Sequence, residues 1–189
     1  MNIVIVSASP RANSLTHRLA LHLQQRLLAD TTHQVQILDV REWKLPLLNE
    51  VFSTVEAAPE RLKPLVSMVL EAQAFILVTP EYNGSYSAAL GNLFDHFPKQ
   101  ARKAFGLVTA STGGFGGMRA TQQLLLLVPG LFGIASPNML VTPFVDRKFD
   151  ERGNLLDEPF QKSVDVFLRE FLWLGQALAP VEQEANLYN

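Results

Sequence analysis

Three short stretches of this chain gather residues able to hold a phosphorylated, planar ligand. The first, Ser7-Ala8-Ser9-Pro10-Arg11-Ala12-Asn13-Ser14-Leu15-Thr16, puts hydroxyls at Ser9, Ser14 and Thr16 and a guanidinium at Arg11, between an apolar run and a helical pattern. A phosphate there would meet the unpaired N–H groups and positive dipole end of the helix, three hydroxyls, and the forked donors of arginine. A hydrogen bond to a charged group contributes about 1.5–3 kcal/mol, so several would anchor a mononucleotide. No Walker lysine and no G-x-G-x-x-G motif occurs at this turn, which disfavours NTP hydrolysis and a dinucleotide pyrophosphate site. A helix cap with neighbouring surface serines is the plain alternative.

The second stretch, Pro80-Glu81-Tyr82-Asn83-Gly84-Ser85-Tyr86-Ser87, joins a rigid proline, a flat aromatic and amide groups ahead of another helical pattern. Gly84 would let backbone approach a ligand, and exposed N–H groups there could bond the heteroatom edge of a planar ring. An ordinary turn capped at Ser85 or Ser87 accounts for it equally well. The third, Ser111-Thr112-Gly113-Gly114-Phe115-Gly116-Gly117, is the most glycine-dense part of the chain. A flat ring could lie against such a surface, or the stretch is a flexible surface turn.

These loops need elements to carry them. Residues 2–7, 34–38, 74–79, 104–110 and 139–145 read as strands, several with unbroken apolar content of the kind found in strands covered on both faces. Between them lie helical patterns. Leu15, Leu19, Leu23 and Leu27 recur every four residues after Ser14; Leu62, Leu65, Val66 and Val69 mark a second helix with Pro64 near its start. Residues 87–97 and 118–128 form a third and fourth, and Phe160, Val164, Phe167, Phe171, Leu174 and Leu178 stripe a long last helix. The alternation predicts a doubly wound α/β sandwich with right-handed crossovers, spanning residues 1–189 as one domain. In such a sheet ligands sit beyond the carboxyl ends of the strands, where the strand order reverses. The three stretches follow the first, third and fourth strands.

Composition narrows the function further. A net charge of −2 supplies no electrostatic footprint for nucleic acid and no basic face for a membrane, and it argues against a strongly acidic electron carrier. The chain has no cysteine, which excludes disulfides, thiolate catalysis and zinc–thiolate sites, and suits a reducing, cytoplasmic setting. The N-terminal residues show no signal-peptide pattern, and the apolar run from Leu124 onward is broken by Pro129 and Gly130 too early to span a bilayer. His17, His22, His33 and His96 have no metal-ligand spacing and read as solvated or packed side chains. No G-x-S-x-G elbow occurs, so a serine hydrolase is not supported.

Taken together, the ordered motifs S-x-R-x-x-S-x-T, T-P-E-Y-N-G-S and S-T-G-G-x-G-G resemble those of the NADPH-dependent FMN reductase family of flavodoxin-like proteins, which includes quinone, azo-dye and chromate reductases. The resemblance implies a three-layer sandwich with a five-stranded parallel sheet in the order 2-1-3-4-5. It implies that Ser9, Arg11, Ser14 and Thr16 bind the FMN phosphate, that Pro80, Glu81, Tyr82, Asn83 and Gly84 line the ribityl chain and ring, and that Ser111, Gly113 and Gly114 lie at the ring's other edge. Two departures from the family pattern are Ala8, where members usually have glycine, and Thr16, where they often have asparagine. Leu124 to Leu127 are apolar where relatives often carry an arginine.

The function implied is transfer of electrons from NADPH or NADH through bound FMN to a small acceptor such as a quinone, free flavin, azo compound or metal oxyanion. No protein acid or base is demanded. A non-enzymatic FMN protein, either a redox sensor or an electron carrier, is the alternative. The resemblance also implies a homodimer or homotetramer paired through the third and fourth helices, which carry more apolar residues than one buried stripe needs.

Overall fold

The computed structural model describes residues 1–184. Parallel strands β1 (Asn2–Ser7), β2 (Gln34–Asp39), β3 (Ala74–Pro80) and β4 (Ala104–Ala110) form most of one sheet, completed by the short β5 (Ile134–Ala135) and β6 (Leu140–Thr142). The order is β2-β1-β3-β4-β5, with β6 also on β4, so β5 and β6 together make the fifth lane. Register is set by pairs such as Asn2↔Gln34, Ile3↔Ala74 and Ala74↔Ala104. The strand order reverses between β1 and β3.

The helices are α1 (Leu15–Asp30), the single turn α2 (Val40–Trp43), α3 (Lys63–Glu71), α4 (Ala88–Asp95), α5 (Met118–Gly130), the single turn α6 (Val145–Lys148) and α7 (Gln161–Glu184). Short 3₁₀ turns at Glu60–Leu62 and Glu158–Phe160 lead into α3 and α7. Side chains alternate across the pleat, which divides the core between two faces. On one face Val4, Val6, Phe75, Leu77, Phe105 and Leu107 meet Leu65, Val66 and Val69 of α3, Leu90 and Phe94 of α4, and Leu124 and Val128 of α5. On the other, Ile3, Ile5, Ile76, Val78 and Val108 meet Leu19, Leu23 and Leu27 of α1 and Val164, Phe167 and Phe171 of α7. Full burial of each such leucine contributes about 1.5–3 kcal/mol. The stripe read at every fourth residue of α1 is the stripe that packs.

Helix α4 is shorter than the expected 87–97, and the boundaries around the fifth lane also differ from the sequence expectation. The strand expected over 139–145 is confined to β6 because Pro143 follows it and Phe144 takes a left-handed φ of 51°, turning the chain into α6. The short β5 precedes it in the same lane. From Phe105 to Val108 on β4 the lane advances from Ala135 to Leu140, two residues more, and Pro137 lies in this excess. Helix α5 runs past Val128 through Pro129; the proline leaves the Leu125 carbonyl without its helical donor, but Leu125 lies on the exposed side.

Leu126, 70% exposed, and Phe132, 64% exposed, stand out from α5 and its end, together with Met118 and Phe115. Helix α4 differs: it buries Leu90, Leu93 and Phe94, and turns Ala88 and Asp95 outward. The apolar excess expected of both helices is therefore found on α5. No helix of the described residues is long and apolar enough to cross a membrane.

His22 is packed in the second core layer. Its Nδ1 lies 3.0 Å from the Gly153 carbonyl, which only an Nδ1–H can bond, and its ring tilts against Phe149. The other nitrogen, Nε2, is buried with no hydrogen-bond partner, so protonation would place a charged N–H where nothing accepts it. Burial accordingly holds the His22 pKa below the ordinary 6.5, outweighing the bond to Gly153. The unfolded chain then binds protons first as pH falls. Stability is unaffected above about pH 6.5 and declines below it, toward the lowered folded-state value. His17 and His33 shift in the same direction. His22→Asn keeps a donor but does not titrate, so thermal melts between pH 7 and 5 should show a shallower decline in Tm than wild type; an equal decline would place the effect elsewhere.

Candidate functional site

The loops leaving β1, β3 and β4 converge at the carboxyl edge of the sheet. They form an open cleft of about 210 Å³ lined by Ser9, Arg11, Asn13, Ser14, Leu15, Thr16, Pro80, Glu81, Tyr82, Ala110, Ser111, Thr112 and Val145. Of the residues singled out in the sequence, Ser9, Arg11, Ser14, Thr16, Pro80, Glu81, Tyr82 and Ser111 are brought together here. Asn83, Gly84, Gly113 and Gly114 belong to the same loops but not to the cleft wall.

The first loop begins on a ladder bond from Ala8 N–H to the Val78 carbonyl, 2.9 Å, and ends at Ser14, the N-cap of α1. Ser14 Oγ accepts the His17 N–H at 3.1 Å, which leaves its own proton free to donate into the cleft. Ser9, nearly buried, likewise acts as an acceptor, from Arg11 N–H at 3.5 Å. The N–H groups of Leu15 and Thr16 sit in the first turn of a helix, where no intrahelical acceptor exists. Arg11, the one cation lining the cleft among the described residues, lies with its guanidinium 4.9 Å from the centre of the Tyr82 ring. Free hydroxyl donors, a helix N-terminus and one guanidinium make a donor set suited to a phosphate.

Behind this loop lies a polar network. His17 Nδ1 is 2.9 Å from Ser7 Oγ and 3.4 Å from Asp39 Oδ2. Asp39, almost fully buried at the end of β2, is gripped by Arg41: Nε lies 2.9 Å from each carboxylate oxygen, and the backbone N–H bonds Oδ1 at 3.0 Å. Arg41 Nη1 then donates to the Ala12 carbonyl at 2.8 Å, within the first loop. Burial would raise the Asp39 pKa, but its bonds to Arg41 outweigh this and hold it below the ordinary carboxylate value. Burial likewise lowers the pKa of His17, against the pull of Asp39. Sequence reading took His17 for a packed or solvated side chain, since nothing in its spacing pointed to partners on β1 and β2.

The second loop owes its form to Asn83 and Gly84. Tyr82 and Ser85 exchange backbone bonds of 2.9 and 3.0 Å around them, and both central residues have positive φ, 53° and 80°. Asn-Gly favours that two-residue turn. These residues therefore shape the hairpin that presents Tyr82 to the cleft. Ser87 locks the loop's end: its Oγ–H donates to the Ala8 carbonyl at 2.5 Å, its Oγ caps α4 at Leu90 N–H, and its own N–H bonds Thr79 Oγ1. Glu81, the cleft's carboxylate, accepts the Arg119 N–H of α5 at 3.1 Å.

In the third loop the glycines divide their roles. At Gly116, with φ of 59°, a Cβ would lie 2.6 Å from the Pro143 nitrogen, and at Gly117, with φ of 84°, it would lie 3.0 Å from Thr109 Cβ. Gly113 and Gly114 have no positive φ, and a Cβ there would meet only Ser111 Oγ at 3.8 Å and Phe144 Cζ at 3.4 Å. The loop is knitted to the turn after β6 by Ser111 N–H to the Thr142 carbonyl and Val145 N–H to the Ser111 carbonyl. That turn brings Val145 to the cleft, a residue the sequence reading did not place there. Among the described residues no three of His, Asp and Glu are grouped to hold a metal ion.

The family model of the NADPH-dependent FMN reductases matches residues 1–144, a span containing all three loops. The chain belongs to this family. The family reading made from the motifs, of an enzyme class coupling NAD(P)H to FMN, is thereby met. An FMN-dependent NADPH-azoreductase of Staphylococcus aureus is 30% identical over 180 residues, covering 91% of this chain and 94% of the relative. Among solved structures, FerB, a flavoenzyme NAD(P)H:(acceptor) oxidoreductase from Paracoccus denitrificans, superposes with a TM-score of 0.75 at 22% identity, covering 92% of this chain and 97% of that one. A flavodoxin from Pseudomonas aeruginosa gives a TM-score of 0.57 at 18% identity, covering 90% and 99%. Both share the flavodoxin-like sandwich.

The glycine geometry separates folding from ligand contact. Gly116→Ala should destabilise the protein by about 1–3 kcal/mol through steric conflict and a disfavoured φ. Gly113→Ala should leave the denaturation midpoint within about 0.5 kcal/mol of wild type. Equal midpoints for the two variants in urea melts would contradict this division.

Proposed function

We propose that the cleft binds FMN with its 5′-phosphate in the first loop, and that the protein uses NADPH or NADH to reduce a small acceptor. The observation that carries this reading is the free hydroxyls of Ser9 and Ser14 meeting the N-terminus of α1 beside Arg11. Thr16 completes the phosphate set. Pro80, Glu81, Tyr82, Asn83 and Gly84 would flank the ribityl chain and one side of the ring, Tyr82 as a wall and the Asn83–Gly84 turn as its support. Ser111, Gly113 and Gly114 would border the other edge.

The chemistry FMN supplies is acceptance of a hydride from the nicotinamide and delivery of two electrons to the acceptor. The chain's residues bind and orient. We assign none of them as a proton donor, because the cleft's carboxylate, Glu81, is engaged by the first turn of α5. The azoreductase named above suggests azo compounds as acceptors, with quinones, free flavin and metal oxyanions as further members of the class. We further place the whole chain, including residues 185–189 outside the described residues, in one FMN domain that works in the cytoplasm, where a chain without cysteine is at home.

Purified protein should oxidise NADPH in a steady state when an azo dye or quinone is supplied. A flavin that is reduced once, with no turnover on any small acceptor, would favour the carrier or sensor alternative. Arg11→Ala should weaken FMN binding by about 2 kcal/mol, for loss of a charge-assisted contact. Its apoprotein melt should barely move, since an exposed cation–π contact contributes only about 0.5–1 kcal/mol. A collapse of apoprotein stability would make Arg11 structural.

The exposed Leu126, Phe132 and Met118 support a homodimer, or a tetramer built on it, with α5 covered by a second copy. Light scattering at micromolar concentration should give at least twice the chain mass, and Leu126→Glu should shift it to the monomer. A monomeric wild type would refute the pairing.

A further inference from the structure

We propose that His17 is a positioning residue for the phosphate loop, which with Asp39 and Arg41 fixes the loop's grip on the flavin nucleotide's phosphate. This rests on the FMN reading above. His17 belongs to the first turn of α1, yet it is absent from the cleft wall. It faces Ser7 and Asp39 instead, and both approach the same ring nitrogen, Nδ1. That nitrogen carries the proton, because a bare lone pair would face a carboxylate oxygen at 3.4 Å.

The same fact removes a catalytic reading. In a Ser-His-Asp triad the serine and the carboxylate use different ring nitrogens, so that one orients the base while the other takes the proton. Here one nitrogen bonds Ser7 and faces Asp39, and no second ring nitrogen is aimed at either, an arrangement that holds a ring in place. The Ser7 hydroxyl is fully buried and does not open on the cleft.

What the ring holds is the loop. From Ser7 at the end of β1 the contacts run to His17 on α1, whose Nδ1 bonds Ser7 and lies 3.4 Å from Asp39 at the end of β2; Arg41 on α2 bonds Asp39 and returns to the chain at Ala12. Ala12 sits between Arg11 and Ser14, two members of the phosphate set. The loop backbone is thus pinned at Ala8 by the sheet, at Ala12 by Arg41, and at Ser14 by the His17 N–H. A loop fixed at three points keeps its donors aimed before a ligand arrives, and spares binding the ordering that a free loop would need. The charges near His17 are Asp39, Arg41 and Glu42, and none of these lines the cleft. The network therefore acts on the phosphate through loop geometry.

The test is titration of apoprotein with FMN and with riboflavin, which differ by the phosphate, following flavin fluorescence. Wild type should prefer FMN. His17→Ala should weaken FMN about tenfold and riboflavin by less than about twofold, the scale of one lost hydrogen bond acting on the phosphate alone. His17→Asn, whose amide N–H can stand where Nδ1–H stood, should recover most of the preference. Arg41→Gln cuts the same chain at the surface and should show the same selective loss, which decides the matter even if His17→Ala does not fold. Equal weakening of both flavins, or an unchanged preference in the variants that fold, would overturn the proposal. A wild type with no preference for FMN would instead overturn the FMN reading on which it rests.

Discussion

A parallel sheet covered on both faces sends the chain out of every strand at the same edge. It leaves the loops there to satisfy their own polar groups. In this protein that requirement falls most heavily on the Ala8 carbonyl, which lies beyond the last ladder bond of β1 and is fully buried. The Ser87 hydroxyl answers it across the gap between β1 and β3. Because Ser87 also starts α4, and Thr79 in turn holds Ser87, one buried serine ties together the loops on the two sides of the point where strand order reverses. The cleft lies beside this tie. Beneath its first and second loops, Ala8, Thr79 and Ser87 are paired with each other rather than with water.

The family's motifs acquire physical meaning in this frame. The Asn-Gly pair of the second loop forms a tight turn, and the last two glycines of the third loop pass beneath Pro143 and against Thr109. Much of what these motifs specify here is the backbone path that leads to the cleft. Ser9, Arg11, Ser14 and Tyr82 are among the side chains that line the cleft.

Much of this was legible in the sequence. The four-residue leucine repeat of α1, the continuous apolar strands and the serines before α1 and α4 are local signals, and local signals survive folding. The fifth strand was misbounded because its limits depend on a left-handed Phe144, a conformation that aromatic residues seldom adopt and that no residue pattern announces. Val145 was missed with it. His17 looked inert for a different reason: its partners come from two strands, and only the pairing of β1 with β2 brings Ser7 and Asp39 side by side. The apolar excess read into α4 proved to be core packing, since Leu90, Leu93 and Phe94 all turn inward.

The broken fifth lane has a bearing on how the molecule survives at high concentration. An edge strand that stayed extended along its whole length would present an unbroken row of N–H and C=O groups to any neighbour, which is the template on which sheets join and proteins aggregate. Here the row is cut after Ala135 by the two surplus residues and by Pro137, which has no N–H to offer, and it stops at Pro143. The remaining fragments, two and three residues long, are too short to recruit a foreign strand in register. What looks like an irregularity in the sheet is thus a guard on the edge opposite β2.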